Sequence, residues 1–351
     1  MSAPTKRGHA RRAQLTAREV AKLAGVSTST VSLVLNNKDA GRVSERTREQ
    51  VIKTAEELGY RVDTLARGLA TGRSGFVGYA APDVNPFFAE LQIGLLDALN
   101  PDYQLMTVTT DLRNSEARTN LSQMLALNPE VLVVSTVDPE QIRELKPACP
   151  VLILDAPETE SDYPRINVDL EKTAAEIARH LVDLGHRRFV HLDIENGSTS
   201  LMLRRQAFIN SVNDLDLDCQ VIRAECRLDG ESARVLVQKN WQQWKARGVT
   251  AVVCASDTQA LGVVVALKEL GLDVPRDVSV AGALDEPFSK MIQPALTTIS
   301  VPAREMGARA GAVVRSMLKD RGRNEVGRTV DVLKTSLVIR ESTGIVPGAG
   351  M

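Results

Sequence analysis

Thr16-Ala17-Arg18-Glu19-Val20-Ala21-Lys22-Leu23-Ala24-Gly25-Val26-Ser27-Thr28-Ser29-Thr30-Val31-Ser32-Leu33-Val34-Leu35-Asn36 contains two helix starts and two helix stops in one short run. Thr16-Ala17-Arg18-Glu19 has the form of a capping box, in which a hydroxyl and a carboxylate satisfy the orphan amides of a first turn. Val20, Leu23 and Ala24 follow at helical spacing, and Gly25 supplies the stop. Ser27 is a second N-cap, opening a helix over 28–35 that Asn36-Asn37 ends. A third helix starts at Ser44, presents Val51, Ile52, Ala55 and Leu58 on one face, and stops at Gly59. Two short helices joined by a tight turn, with a third packed across them, predict a helix-turn-helix unit.

These residues, continued by Val43-Ser44-Glu45-Arg46-Thr47-Arg48 and Leu58-Gly59-Tyr60, resemble the DNA-binding headpiece of the LacI/GalR transcriptional regulators over about 60 residues. The resemblance implies phosphate contacts from Thr16, Ser27, Thr30, Ser32, Asn36, Ser44, Thr47 and Tyr60. Short hydroxyl and amide groups near helix N-termini suit anions. Base reading would fall to Thr28, Ser29 and Leu33. The family often places an arginine where Leu33 stands, so the fork that reads guanine is lost and direct readout should be modest. Phosphate contacts and DNA shape are expected to carry more of the binding.

Asp63-Thr64-Leu65-Ala66-Arg67-Gly68-Leu69-Ala70-Thr71-Gly72-Arg73-Ser74 follows, too short to be stable as a lone helix and weakened further by Gly68. By resemblance it is a hinge helix that pairs with its counterpart in a dimer. Leu69 would wedge into the minor groove, Ala66 would allow close helix approach, and Arg67 would face phosphate. Val62-Asp63 stands where the family usually has Pro-Asn.

From Ser74 onward apolar segments at 76–81, 103–109, 131–135, 151–155, 189–193, 220–225, 251–255, 278–283 and 298–301 alternate with amphipathic ones, among them 86–100, 115–128, 170–184, 257–270 and 303–319. A β-α alternation of this kind predicts two doubly wound parallel sheets with a ligand at the C-terminal strand ends. The resemblance agrees and implies a periplasmic-binding-protein-like core of two lobes. It marks Phe87, Arg204, Asp257 and Asp285 as effector-binding candidates, and Asp155, at the end of the apolar segment 151–155, is a further one by position. Leu284 replaces a carboxylate usual in the family, and Leu228 stands where many members place an aromatic ring that stacks on a sugar. With 12 aromatic residues in the chain, the expected effector is smaller or more apolar than a hexose, a sugar or an organic acid.

The expected organisation is a basic tail at 1–14, a headpiece at 15–61, a hinge at 62–74, a core at 75–344 and a short tail at 345–351. Lobe 1 is expected at 75–163 and 296–325, and lobe 2 at 164–295 and 326–344. The net charge of −1 is unevenly spread: residues 1–73 carry 14 Lys/Arg against 7 Asp/Glu, the remainder 29 against 37. A basic head on an acidic body points to a polyanion at one end. Hydrophobic residues at 43% and charged residues at 25% exclude a disordered or collagen-like chain. No apolar run is long enough for a membrane span, and no secretory signal or paired cysteine motif is visible, so a reduced, cytoplasmic protein is expected.

His180, His186 and His191 lack metal-ligand spacing, and no phosphate-binding or nucleophile-elbow motif occurs. No cofactor and no enzymatic role are expected. The C-terminal segment has no leucine heptad, so assembly should stop at a homodimer. The expectation is a regulator, most simply a repressor, on a palindromic operator under control of a small molecule. The alternative is a cytoplasmic sensor or solute-binding module that reads no DNA.

Overall fold

Gly25 (φ 65°) and Gly59 (φ 64°) end two helices of the head in the left-handed conformation that glycine adopts without strain. The computed structural model describes residues 15–35, 39–60, 74–82, 85–110, 116–137, 139–156, 162–195, 199–215, 218–319 and 330–346, and the chain divides between Ser74 and Gly75 into two compact units. Asn36, Ala66, Arg67 and Leu69 lie outside the described residues.

The first unit packs α1 (Ala17–Ala24), α2 (Thr28–Leu35) and α3 (Glu45–Leu58) around Val20, Ala21, Ala24, Val31, Val34, Val51 and Ala55. Leu23, expected on the apolar face, is 62% exposed. The reason is angular. At about 100° per residue, a stripe of Ala17, Val20, Ala21 and Ala24 leaves position 23 roughly 110° from its centre. Asp39, nearly buried before α3, holds the Arg48 guanidinium at 3.1 Å and ties the connecting segment to that helix.

The second unit contains two parallel sheets. The first comprises β1 (Phe76–Ala81), β2 (Gln104–Thr109), β3 (Leu132–Ser135), β4 (Val151–Leu154), β5 (Arg165–Val168) and β11 (Val330–Leu333), in the order β11-β5-β4-β3-β1-β2. β1, β3 and β4 are buried along their whole length, as expected of parallel strands covered by helices on both faces. The second sheet has β6 (Arg188–Ile194), β7 (Gln220–Cys226), β8 (Ala251–Cys254) and β9 (Ser279–Ala281), in the order β7-β6-β8-β9. Trp241 and Trp244 pack among its valines and leucines.

α4 (Pro86–Leu99) and α11 (Ala303–Lys319) cover the first sheet with their backbones in direct contact. A Cβ on Gly94 would lie 2.1 Å from the Arg304 carbonyl oxygen, and one on Gly307 2.0 Å from that of Leu91. Between the sheets run three crossings: β5 into α7 (Leu170–Asp183), and the antiparallel pair β10 (Thr298–Ser300) with β12 (Ser336–Val338).

The expected lobe boundary needs correcting. Arg165–Val168 and Val330–Leu333, expected in lobe 2, pair with each other and, through β4, with the sheet of lobe 1. The chain leaves that lobe only at Asp169, where its side chain caps α7 by accepting from the Lys172 amide. Among the described residues no helix is long and apolar enough to cross a membrane.

Candidate functional site

The N-terminal end of α2 carries a group of hydroxyls. Ser27 Oγ accepts from the Thr30 amide at 3.1 Å and lies 2.6 Å from Ser29 Oγ and 2.9 Å from Thr30 Oγ1. Ser44 repeats the arrangement at α3, accepting from the Thr47 amide at 3.2 Å beside Thr47 Oγ1 at 2.8 Å. In the first helix the Glu19 carboxylate accepts from both the amide and the hydroxyl of Thr16. Those two bonds hold the Glu19 carboxyl below its usual range.

Thr28, Ser29 and Ser32 are exposed on α2, while Leu33 is half-buried and Tyr60 packs against the head core. The exposed start of α2 therefore offers short hydroxyls and free helical dipole ends, a surface suited to phosphate oxygens. Ser27 and Ser44 act first as caps, and any contact they make with an anion adds to that role.

In the second unit the C-terminal ends of strands from both sheets meet at a cleft of about 110 Å³. Phe87, Asp155 and Arg204, three of the five sequence candidates, line it. Asp155 follows β4 with φ 58°, and its Oδ2 accepts from Ser200 Oγ at 2.6 Å. Ser200 and Arg204 belong to α8 (Thr199–Asn213), which packs on the opposite lobe, so this bond spans the cleft. Arg204 Nη1 donates to the Ala255 carbonyl at 3.3 Å.

Asp257 and Asp285 are not brought to the cleft. Asp257 opens α10 (Asp257–Glu269) fully buried. Its carboxylate accepts from the Glu286 amide at 2.7 Å, Ser289 Oγ at 2.7 Å and Thr298 Oγ1 at 2.5 Å. Burial outweighs those donors and pushes its pKa up to about 7. Its partners are the loops beside it, so it is a structural carboxylate. Asp285 instead pairs with Arg340 at 2.6 Å.

Other wall residues carried no mark in the sequence. Glu195 and Arg227 follow β6 and β7, and the rule that ligands sit beyond strand ends would have found them. Met306 and Val301 enter from the segment after β10, where no local signal exists.

His186 is held by Thr250 Oγ1 and Ser279 Oγ, both at 2.9 Å, and burial lowers its pKa to about 4. Burial, with Arg205 nearby, lowers His191 to about 3. Among the described residues no cluster of His, Cys, Asp and Glu could hold a metal ion.

Residues 16–63 match the model of the bacterial regulatory proteins, lacI family, and residues 178–343 that of the periplasmic binding protein-like domain. The HTH-type transcriptional regulator MalR of Streptomyces coelicolor is 30% identical over 94% of this chain and 97% of its own length. The HTH-type transcriptional repressor PurR of Vibrio vulnificus is 29% identical, over 93% and 98%. A lac repressor dimer bound to operator and the anti-inducer ONPF superposes with a TM-score of 0.78 at 26% identity, over 94% of this chain and 99% of that one.

Proposed function

Because the chain belongs to the lacI family of bacterial regulatory proteins, it is a DNA-binding transcriptional regulator, and we propose that it acts in the cytoplasm as a dimeric repressor controlled by a small molecule. The observation that carries this reading is the joining, in one chain, of a capped helix-turn-helix head to a two-lobed body with a lined cleft.

In this reading residues 15–61 bind DNA, 62–74 form the hinge and 75–344 bind the effector and the second subunit. Two heads enter successive major grooves of a near-palindromic operator. Thr16, Ser27, Thr30, Ser32, Asn36, Ser44, Thr47 and Tyr60 hold phosphates, Thr28, Ser29 and Leu33 face bases, and Leu69 from each hinge opens the central minor groove. The effector occupies the cleft beside Phe87, Asp155 and Arg204. It shifts the equilibrium between lobe arrangements only by its difference in affinity for them.

Selection from random duplex DNA, with intact protein and Leu69→Ala in parallel, tests the reading. A palindrome that weakens sharply in the variant, with a steep dependence of affinity on salt, is the expected result. Enrichment of no sequence by the intact protein, with and without cell-extract small molecules, would overturn it.

A further inference from the structure

We propose that the cleft takes a small carboxylate bearing a neighbouring hydrogen-bond donor on an apolar frame, the chemistry shared by apolar α-hydroxy acids and α-amino acids. This rests on the reading of the cleft as the effector site.

Most polar atoms of the cleft wall are already engaged within the protein. Asn85 Oδ1 accepts from the Phe88 amide at 3.1 Å, capping α4. Ser135 Oγ lies 3.2 Å from the Tyr79 hydroxyl, and Thr136 Oγ1 donates to the Ser135 carbonyl at 2.8 Å. Arg227 pairs with Asp229 at 3.4 Å and is largely exposed, as is Glu195 near it.

Two groups remain. Asp155 Oδ1 is buried and has no hydrogen-bond partner among the described residues, although Oδ2 of the same carboxylate is bound by Ser200. A buried carboxylate oxygen left unpaired is costly, and a ligand donor would relieve it. The other is the Arg204 guanidinium, whose one bond to the Ala255 carbonyl is long and which forms no ion pair among the described residues.

The two groups are held apart in a fixed relation. Ser200 and Arg204 are four residues apart on α8, so their side chains are neighbours with Cβ atoms about 5–6 Å apart. Asp155 is docked on Ser200. Asp155 and Arg204 thus both line the cleft without closing into a salt bridge. A molecule that spans them presents two acceptor oxygens to the arginine fork and a donor to the aspartate.

The rest of the surface is apolar: Phe87, Leu201, Leu228, Leu284, Val301 and Met306. Leu284 is held at φ 101°, a region that side-chain-bearing residues rarely adopt, by a 2.8 Å bond from its amide to the Ile299 carbonyl. A polyol would bring several hydroxyls to a wall with few free partners, and each unmatched hydroxyl would lose its water. A branched or aromatic acid matches both the pair and the wall.

Calorimetric titration of the full-length protein tests this with L-leucine, leucate (its hydroxy acid), phenylalanine, phenyllactate, isocaproate (no donor), leucinol (no carboxylate) and glucose. At least one donor-bearing acid is expected to bind, with isocaproate and leucinol about 10- to 100-fold weaker. Arg204→Met should weaken that acid by a similar factor. Asp155→Asn should abolish an amino acid but spare much of the affinity for a hydroxy acid, which separates the two sources.

Glucose binding that survives Arg204→Met would overturn the proposal. So would failure of every acid with protein that retains its selected DNA site, an outcome that leaves the regulator reading intact. An acid that binds a chain enriching no DNA site would support the ligand class and remove the regulator reading.

Discussion

Asp155 and Ser200 join the two lobes by a 2.6 Å hydrogen bond beside the cleft. The aspartate has its second oxygen buried and unpaired, so among the described residues the serine is its one side-chain hydrogen-bond partner. Ser200→Ala leaves both oxygens unmatched and removes a cross-lobe tie. We expect faster amide hydrogen exchange at 155–156 and 199–204 of the ligand-free variant, with the strands of both sheets unchanged. Equal exchange in the two proteins would show that the bond does not hold the lobes together.

Gly282 faces the same buried carboxylate that removes Asp257 from the cleft. A Cβ there would lie 2.1 Å from Asp257 Oδ1 and 2.8 Å from Leu296 Cδ2, and neither can retreat without breaking bonds to Thr298 or disturbing packed leucine. Gly282→Ala should destabilise the body by about 1–3 kcal/mol in chemical denaturation. An unchanged midpoint would mean that the wall gives way freely.

Three buried groups set the sign of the pH dependence. His186 and His191, lowered to about 4 and about 3, stay neutral in the folded chain while the unfolded chain binds protons below about 6.5. Their contribution to stability is present above that pH and is lost as pH falls. Asp257 at about 7 works the other way, holding a proton in the folded state that the unfolded state releases above about 4. From pH 7 down to about 4 the two histidines outweigh the one aspartate once both titrate. Between about pH 6.5 and 4 these three groups should together lower stability by about 1.4 kcal/mol per pH unit of acidification. His180, also lowered by burial, adds to that fall, and Asp257→Asn should steepen it. Denaturation midpoints from pH 4.5 to 8 read it directly; a shallower slope in the variant would contradict the sign.

The caps of the head give a separate prediction. Ser27→Ala and Ser44→Ala each remove an acceptor for a helix amide, at 3.1 and 3.2 Å. Each should cost about 1 kcal/mol of head stability, read as faster exchange over residues 17–58. By contrast Leu33→Ala, at a half-buried position with no polar atom to offer, should weaken operator binding evenly across single-base variants of the site. A sharp loss at one base pair would assign Leu33 a specific methyl contact.

The head was legible because its signals are local: Thr16, Ser27, Ser44, Gly25 and Gly59 each fix a helix end through the neighbouring few residues. Leu23 was misplaced because spacing alone fits two stripes on one helix, and the partner helices choose between them. The β-α alternation gave the parallel sheets, but not which sheet β5 and β11 join, since that depends on pairing between segments far apart in sequence. The same limit separates Asp155 from Asp257. Both follow apolar strands, and only the loops folded back over Asp257 decide that its carboxylate faces inward.

Three crossings between the sheets mean that neither lobe is a continuous stretch of chain, whereas the chain passes from head to body once, between Ser74 and Gly75. A single recombination event near that junction can exchange one complete operator reader for another. No single event can exchange one half of the cleft. The two specificities of such a chain are thus free to change by different routes: the DNA site by shuffling whole heads, the ligand by point substitutions that accumulate on a wall built from both lobes.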